Sequence, residues 1–305
     1  MSLLNNIGIY IMKKTVFGLK TWMLFVLMAC SQLVLTSCET ADNPVAQPQS
    51  NPQLVLTGDA AVEWTKEHLD SLVGVYLGGC GNKVDPDDTR ALLSCIGYTG
   101  LNVIDYMAAS DLIDSVAYIR LMERAIDADN KTILFTMGMS GCGKTTSLRN
   151  NPDLYRQALA AGVVYDAAFF TTADFDKVIK KSNERGLKPT LVYVYNDAET
   201  GFSSCVSRLI ATNRVVPYPT YVMFFPCYKG RIEYLEEHYP DMTIHCIDNN
   251  HNNGGFEVSK EEARKWDYTM DADMQNKLYK IMWQFILSGD MTDEQIIAVQ
   301  KPERM

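Results

Sequence analysis

The chain has 305 residues, 47% hydrophobic and 21% charged, which is enough for a sizeable core in one large α/β domain or two smaller ones. Its formal net charge of −9, with no basic run outside the extreme N-terminus, argues against nucleic-acid binding, because phosphate contacts need clustered Lys and Arg. Its 8 cysteines show no CxxC spacing and its 4 histidines do not cluster with them, which argues against a thiolate metal site. In an exported chain Cys80 could bridge Cys95, and Cys227 could bridge Cys246, but spacing does not fix the pairing.

The N-terminus reads as an address. Met12-Lys13-Lys14 opens a short basic region, an apolar run follows from Trp22 to Leu35, and Leu35-Thr36-Ser37-Cys38 ends it. This is the order of a secretory signal peptide over residues 1–37, with Met12 as initiator. The last four residues resemble the lipobox of bacterial lipoproteins, in which the cysteine is acylated and begins the mature chain. Leu27-Met28-Ala29-Cys30 fits less well, since Cys38 is the cysteine followed by a polar, proline-containing tether over 38–56. An uncleaved membrane helix is the competing reading, but the run breaks at Ser31-Gln32 before a full span of about 20 residues. The expectation is a lipid-anchored protein of the cell envelope, periplasmic or on the outer membrane.

Residues 57–130 read as a helical N-terminal region. Ala60 to Leu72 has a helical pattern, Gly78-Gly79-Cys80-Gly81-Asn82 and Asp85-Pro86-Asp87-Asp88 are turn material, and Ser110 is placed as the N-cap of a helix running to Asp127. That helix carries a stripe of Leu112, Val116, Ile119, Met122 and Ile126. The region either packs on the α/β portion of the chain or forms a subdomain.

Next comes Thr132-Ile133-Leu134-Phe135-Thr136, a buried strand by composition, and then Gly138-Met139-Ser140-Gly141-Cys142-Gly143-Lys144-Thr145-Thr146. This nonapeptide fits G-x-x-x-x-G-K-[ST] in its required context of strand, glycine-rich loop and helix. Gly138, Gly141 and Gly143 let backbone N–H groups turn inward around a phosphate, with Ser140, Cys142 and Thr146 completing the loop. Lys144 would reach the β- and γ-phosphates of ATP, and the Thr145 hydroxyl would bind Mg²⁺. Cys142 reads as a small filler.

Residues 131–256 read as an α/β nucleotide-binding core. Strands are expected at 162–166, 190–195 and 242–248, with a helix from a Thr172 cap to Arg185, stopped by Gly186, and another over 199–213. The tail, 257–305, carries an amphipathic helix through Met274, Leu278, Ile281 and Phe285, then a short one opened by the capping box Thr292-Asp293-Glu294-Gln295. Strands apolar on both faces and separated by helices imply a mostly parallel sheet covered on each side, a three-layer P-loop kinase type of fold. Ligands in such sheets bind at the carboxyl ends of strands, which singles out 138–146, 166, 196–197 and 248–250.

Asp166, at a strand end, is the first candidate for general base or for a second Mg²⁺ ligand, and Asp153 stands behind it. Arg208 and Arg214, near a helix end and before Val215-Val216-Pro217, would form a lid on the γ-phosphate side. His245 reads as a packed mid-strand residue, and His251, on the polar loop 249–255, as a solvated turn or a substrate contact.

Four segments in this order and spacing resemble the zeta-toxin-like P-loop kinases: Gly138 to Thr146, Val163-Val164-Tyr165-Asp166, Leu191 to Tyr195, and Arg208 to Pro217. Ile247-Asp248-Asn249 is similar to the closing strand of that group. The likeness covers about residues 130 to 250. It implies an ATP-dependent, Mg²⁺-assisted kinase with Lys144 and Thr145 on the nucleotide and Arg208 and Arg214 on the γ-phosphate side. The implied acceptor is a small-molecule hydroxyl such as that of UDP-N-acetylglucosamine, and an antitoxin partner is left open. The family's base segment, an Asp-x-Phe-Arg-like stretch after the loop, has no counterpart in 147–162. A nucleotide-binding module without turnover is therefore the alternative.

Overall fold

The computed structural model describes residues 54–301; the expected signal segment, Cys38 and most of the expected tether lie outside them. Six strands form one sheet in the order β1-β3-β2-β4-β5-β6. They are β1 (Lys83–Val84), β2 (Thr132–Met137), β3 (Val163–Asp166), β4 (Lys188–Tyr195), β5 (Thr243–Asp248) and β6 (Phe256–Val258). Every neighbouring pair is parallel except β5 with β6. The helices are α1 (Asp59–Gly79), α2 (Pro86–Ala91), α3 (Met107–Asp127), α4 (Lys144–Asn150), α5 (Pro152–Ala160) and α6 (Thr172–Asn183). They continue with α7 (Ala198–Thr212), α8 (Tyr218–Phe224), α9 (Arg231–His238), α10 (Lys260–Ala263), α11 (Ala272–Ser288) and α12 (Asp293–Gln300). The protein is α/β, a mostly parallel sheet flanked by helices, as the alternating strand and helix signals imply.

Because side chains alternate along a strand, each strand feeds two apolar layers. Ile133, Phe135 and Met137 of β2, with Tyr165, Leu191, Tyr193 and Tyr195, join the large core that also holds α1, α3, α6, α7 and α11. Leu134, Val164, Val192, Val194 and Ile247 face the other way, onto a small cluster with Cys142, Leu154, Ala158 and Ala161. Among the described residues, the helices that supply that second layer are α4 and α5. Phe135 anchors the large side among Tyr165, Phe169 and Phe175, with ring centroids 6.2, 6.3 and 5.4 Å away. Its full burial is worth roughly 1.5–3 kcal/mol before the edge-to-face contacts are counted.

Several local expectations shift. Residues 57–130 are not purely helical, since β1 joins the sheet edge with Lys83 opposite Val164 and Val84 opposite Tyr165. A strand of two residues between turn-forming sequences has no periodicity to detect. Val73, Tyr76, Ile113 and Tyr118 of this region belong to the same core as the sheet. Gly78 and Gly79 lie inside α1, and Asp85 caps α2 through the Asp87 N–H. Ser110 is not an N-cap. A 3-10 turn over Val103–Tyr106 runs straight into α3, which begins at Met107, and the Ser110 hydroxyl donates back to the Met107 carbonyl. Thr171, rather than Thr172, caps α6, because the reciprocal acid three residues on, Asp174, completes a capping box only with Thr171. β6 extends the sheet past residue 256 and is antiparallel. His245 is half-buried and its Nδ1 lies 2.7 Å from Glu257 Oε1, across from β6 rather than in the core. The six described cysteines are all free, Cys80, Cys95, Cys227 and Cys246 among them.

Candidate functional site

The chain leaves β2 for β3 on one side and reaches β4 on the other, so the carboxyl end of β2 lies where strand order reverses. A crevice opens at such a point. The loop from Gly138 to Gly143 stands there, followed directly by α4 at Lys144. Its glycines have positive φ: 146° at Gly138 and 81° at both Gly141 and Gly143. A Cβ on Gly141 would run into the Gly201 carbonyl of α7, and one on Gly143 into the Asn249 side-chain amide. The loop is thus a close-packed backbone bend, and the first N–H groups of α4 have no helical acceptor. Lys144 Nζ folds back to donate to the Gly138 carbonyl at 3.4 Å. Thr145 and Thr146 lie in the first turn of α4, Thr145 exposed and Thr146 reaching the same turn, and Ser140 is half-buried. Cys142 is buried, and burial pushes its thiol pKa up although Lys144 pulls the other way, so it stays a neutral filler.

Asp166 is the register partner of Thr136, next to the loop strand, and the Thr136 hydroxyl donates to its Oδ1. The exit after it is firmly held. Tyr228 donates its hydroxyl to the Ala168 carbonyl at 2.6 Å. Arg231 donates to the Phe169 and Phe170 carbonyls, both at 3.1 Å, and to Cys227 at 3.1 Å. Arg231 is 2% exposed and has no carboxylate partner among the described residues, so three carbonyls and the Tyr228 ring 5.0 Å away stand in for one.

A set of asparagines forms a unit that sequence reasoning misses. Asn249, buried just past β5, donates to the Cys142 carbonyl at 2.9 Å and accepts from the Gly254 N–H at 3.2 Å. Asn150 and Asn151 reach from the end of α4 to the Gly254 and Gly255 carbonyls at 2.8 and 3.1 Å. Asn196, past β4, donates to Asn252 Oδ1 at 2.7 Å. These amides tie the glycine loop and its helix to the loop after β5. The available signal is the density of Asn in 249–253, at a strand exit already singled out. Asp197 caps α7 and lies 3.2 Å from His251 Nδ1. Glu199, Thr200, Ser203, Ser204 and Ser207 of α7, with Asn252, line an open polar groove.

The two arginines do not meet on a common partner. Arg208 lies on α7 one turn beyond Cys205, where its charge and that of Lys144 both act on the Cys205 thiol, which burial raises to about 11. Its side chain has no hydrogen-bond partner among the described residues, and its Nε is buried. Arg214 is paired with Asp87 of α2. Asp153 sits in the first turn of α5, exposed and paired with Arg156, away from the strand ends.

The bend from Gly138 to Gly143 is thus a backbone loop with no room for side chains at its glycines, closed by Lys144 folding back to the Gly138 carbonyl, with Asp166 held on the neighbouring strand by Thr136. No family model matches the chain, and no curated protein matches it. Among solved structures, a chain of the crystal structure of AvrRxo1-ORF1:AvrRxo1-ORF2 with sulphate ions is similar over 60% of this chain and 83% of that one, at 13% identity and a TM-score of 0.36.

Proposed function

We propose that this protein is a zeta-toxin-like P-loop phosphotransferase that moves the γ-phosphate of ATP to a small-molecule hydroxyl, with a nucleotide sugar such as UDP-N-acetylglucosamine as the model acceptor. The observation that carries the reading is the glycine cradle at the strand-order switch with Lys144 bent across it. In this reading the loop amides and Lys144 hold the β- and γ-phosphates, and Thr145 holds Mg²⁺, whose charge eases negative charge on the transferred group. Asp166 accepts the acceptor's hydroxyl proton or completes the metal shell. Its hydrogen bond from Thr136 and the clamped 167–171 segment fix where that carboxylate stands. In this reading Arg208 of α7 serves the γ-phosphate side, and the polar groove along α7 would take the rest of the nucleotide.

Lys144→Ala is expected to weaken Mg-ATP binding by roughly 100-fold or more. Asp166→Asn is expected to keep Mg-ATP affinity within a few fold while transfer falls by about 10²–10⁴. Undiminished ATP affinity in the first variant would sink the assignment. The second reading is a binding module without turnover. It is favoured by Asp153 facing solvent on α5, which leaves one base candidate. Tight Mg-ATP binding with no transfer to any nucleotide sugar would select it.

We also propose that Cys38 carries a lipid that holds the domain at the envelope membrane. Cys38→Ala should then release the protein to the soluble fraction, and unchanged fractionation would reject the anchor. An enzyme placed there needs a supply of ATP, another phosphorylated ligand, or delivery into a neighbouring cell.

A further inference from the structure

The two faces of α7 carry different chemistry. Gly201, Phe202, Cys205, Val206 and Leu209 are buried. Glu199, Thr200, Ser203, Ser204 and Ser207, at the complementary spacings, line with Asn252 an open groove of about 530 Å³. Over those positions the helix rises roughly 12 Å. One end of the groove abuts the glycine loop, since a Cβ on Gly141 would run into the Gly201 carbonyl.

The hydrogen bonds inside the groove decide what it can hold. Ser204 donates its hydroxyl to the Thr200 carbonyl at 2.9 Å, and Ser207 donates to the Ser203 carbonyl at 3.0 Å. Their protons are committed to the helix, which leaves the two hydroxyl oxygens as acceptors. Glu199 adds a carboxylate, which only accepts. Lys277 of α11 lies 3.8 Å from it, beyond hydrogen-bond reach, and closer to Asp273 at 3.1 Å. Asp197, the other carboxylate at this end of α7, is engaged on both oxygens. Its Oδ1 accepts from the Thr200 N–H at 2.8 Å and its Oδ2 from the His251 N–H at 3.2 Å. The Asn252 carbonyl oxygen likewise accepts from Asn196 at 2.7 Å. The groove therefore presents acceptors, and a ligand that fits it brings donors. Sugar hydroxyls are such donors, whereas phosphate oxygens are not. None of the six lining residues is aromatic or aliphatic, so a base finds no platform to stack on.

We propose that the groove reads a nucleotide by its ribose diol rather than by its base, with Glu199 accepting from the 2′- and 3′-hydroxyls. A carboxylate has the two oxygens that a vicinal diol needs, and acidic side chains take the ribose 2′-hydroxyl in the same way in other nucleotide sites. Beyond the sugar, Ser204 and Ser207 offer acceptors that suit the amino group of adenine and of guanine alike. This rests on the phosphotransferase reading, which leaves open how the nucleoside is recognised. It makes Glu199 a specificity residue that favours ribose over deoxyribose, with little choice between ATP and GTP.

The test is calorimetric titration of the full chain with Mg-ATP, Mg-2′-deoxyATP and Mg-GTP. ATP should bind about tenfold or more tightly than deoxyATP, and ATP and GTP should agree within about threefold. Glu199→Ala, at a half-buried position in the first turn of α7, should bring the ATP-to-deoxyATP ratio within about threefold. Lys277→Met removes the ionic neighbour and leaves the carboxylate, so it should keep the ratio at about tenfold or more. A role for Glu199 confined to its pairing with Lys277 would instead collapse the ratio in both variants, and that result would overturn the proposal. So would a ratio that survives Glu199→Ala, or a gap between ATP and GTP wider than that between ATP and deoxyATP. Equal binding of all three nucleotides would remove the ribose subsite and leave the phosphotransferase reading standing. Binding of none would remove both.

Discussion

Two corners of the carboxyl edge of the sheet are built from opposite materials. At the β2–β4 corner the parts are backbone and short amides: positive-φ glycines, the Cys142 carbonyl, and Asn249, Asn150 and Asn151 around them. At the β1 corner the parts are long charged side chains, with Asp87 paired both to Arg90 on its own helix and to Arg214, 127 residues further along the chain from Asp87. The first corner is a backbone shape with Lys144 folded back across it and Asp166 on the neighbouring strand. The second is a charge arrangement whose shape depends on rotatable stems. Backbone cradles tolerate almost no substitution, whereas ion-pair corners respond to substitution in graded, salt-dependent ways.

That contrast can be broken by experiment. The largest effect is expected at Gly141, where alanine puts a methyl into the Gly201 carbonyl at a residue with φ of 81°. Gly141→Ala should destabilise the fold by about 2–4 kcal/mol in denaturant titrations and abolish Mg-ATP binding. A variant with native stability and affinity would show that the cradle is soft. Asn249→Ala is expected to come next. It strands the buried Cys142 carbonyl and leaves the half-buried Gly254 N–H without its partner, costing about 2 kcal/mol, with roughly tenfold weaker nucleotide binding. Affinity that falls without any stability change would mean that Asn249 touches the ligand instead.

At the charged corner the sharpest probe is Asp114→Asn. The folded-state pKa of Asp114 is raised to about 7, above its unfolded value, so the folded chain binds the proton more tightly. The associated stability is therefore full below about pH 4 and is lost as pH rises toward 7. Asparagine can still accept the Thr89 hydroxyl bond, so Asp114→Asn should flatten the stability profile between those limits by a few kcal/mol. An unchanged profile would place the titration elsewhere. The smallest effect belongs to Arg156→Ala, which breaks an exposed pair with Asp153 and should change stability by less than about 0.5 kcal/mol.

The same contrast explains how much can be read from the sequence. The phosphate-type loop, its strand and its helix are local, and steric demands on a few adjacent residues leave a legible pattern. β3, β4 and β5 lie within a residue or two of their expected bounds, because parallel strands buried on both faces give uninterrupted apolar runs. β1 and β6, with 2 and 3 residues, carry no such run and are defined by the neighbours that they pair with. The cap of α6 falls one residue from its expected place because Thr171 and Thr172 are alike until Asp174 is weighed. Arg208 and Arg214 are legible as residues but not as contacts, since nothing near Arg214 in sequence points to Asp87.

The uneven covering of the sheet has its own consequence. Among the described residues the Leu134 side is roofed by α4 and α5, of 7 and 9 residues, and α4 is the helix that springs from the glycine bend. Such short segments over a small apolar patch are the first to open in local fluctuations. A polyphosphate gripped at the start of α4 would fasten that roof by mass action. Amide protons of 144–160 should then exchange much more slowly when nucleotide is added, while those of α3 and α11, on the thick side, barely notice it.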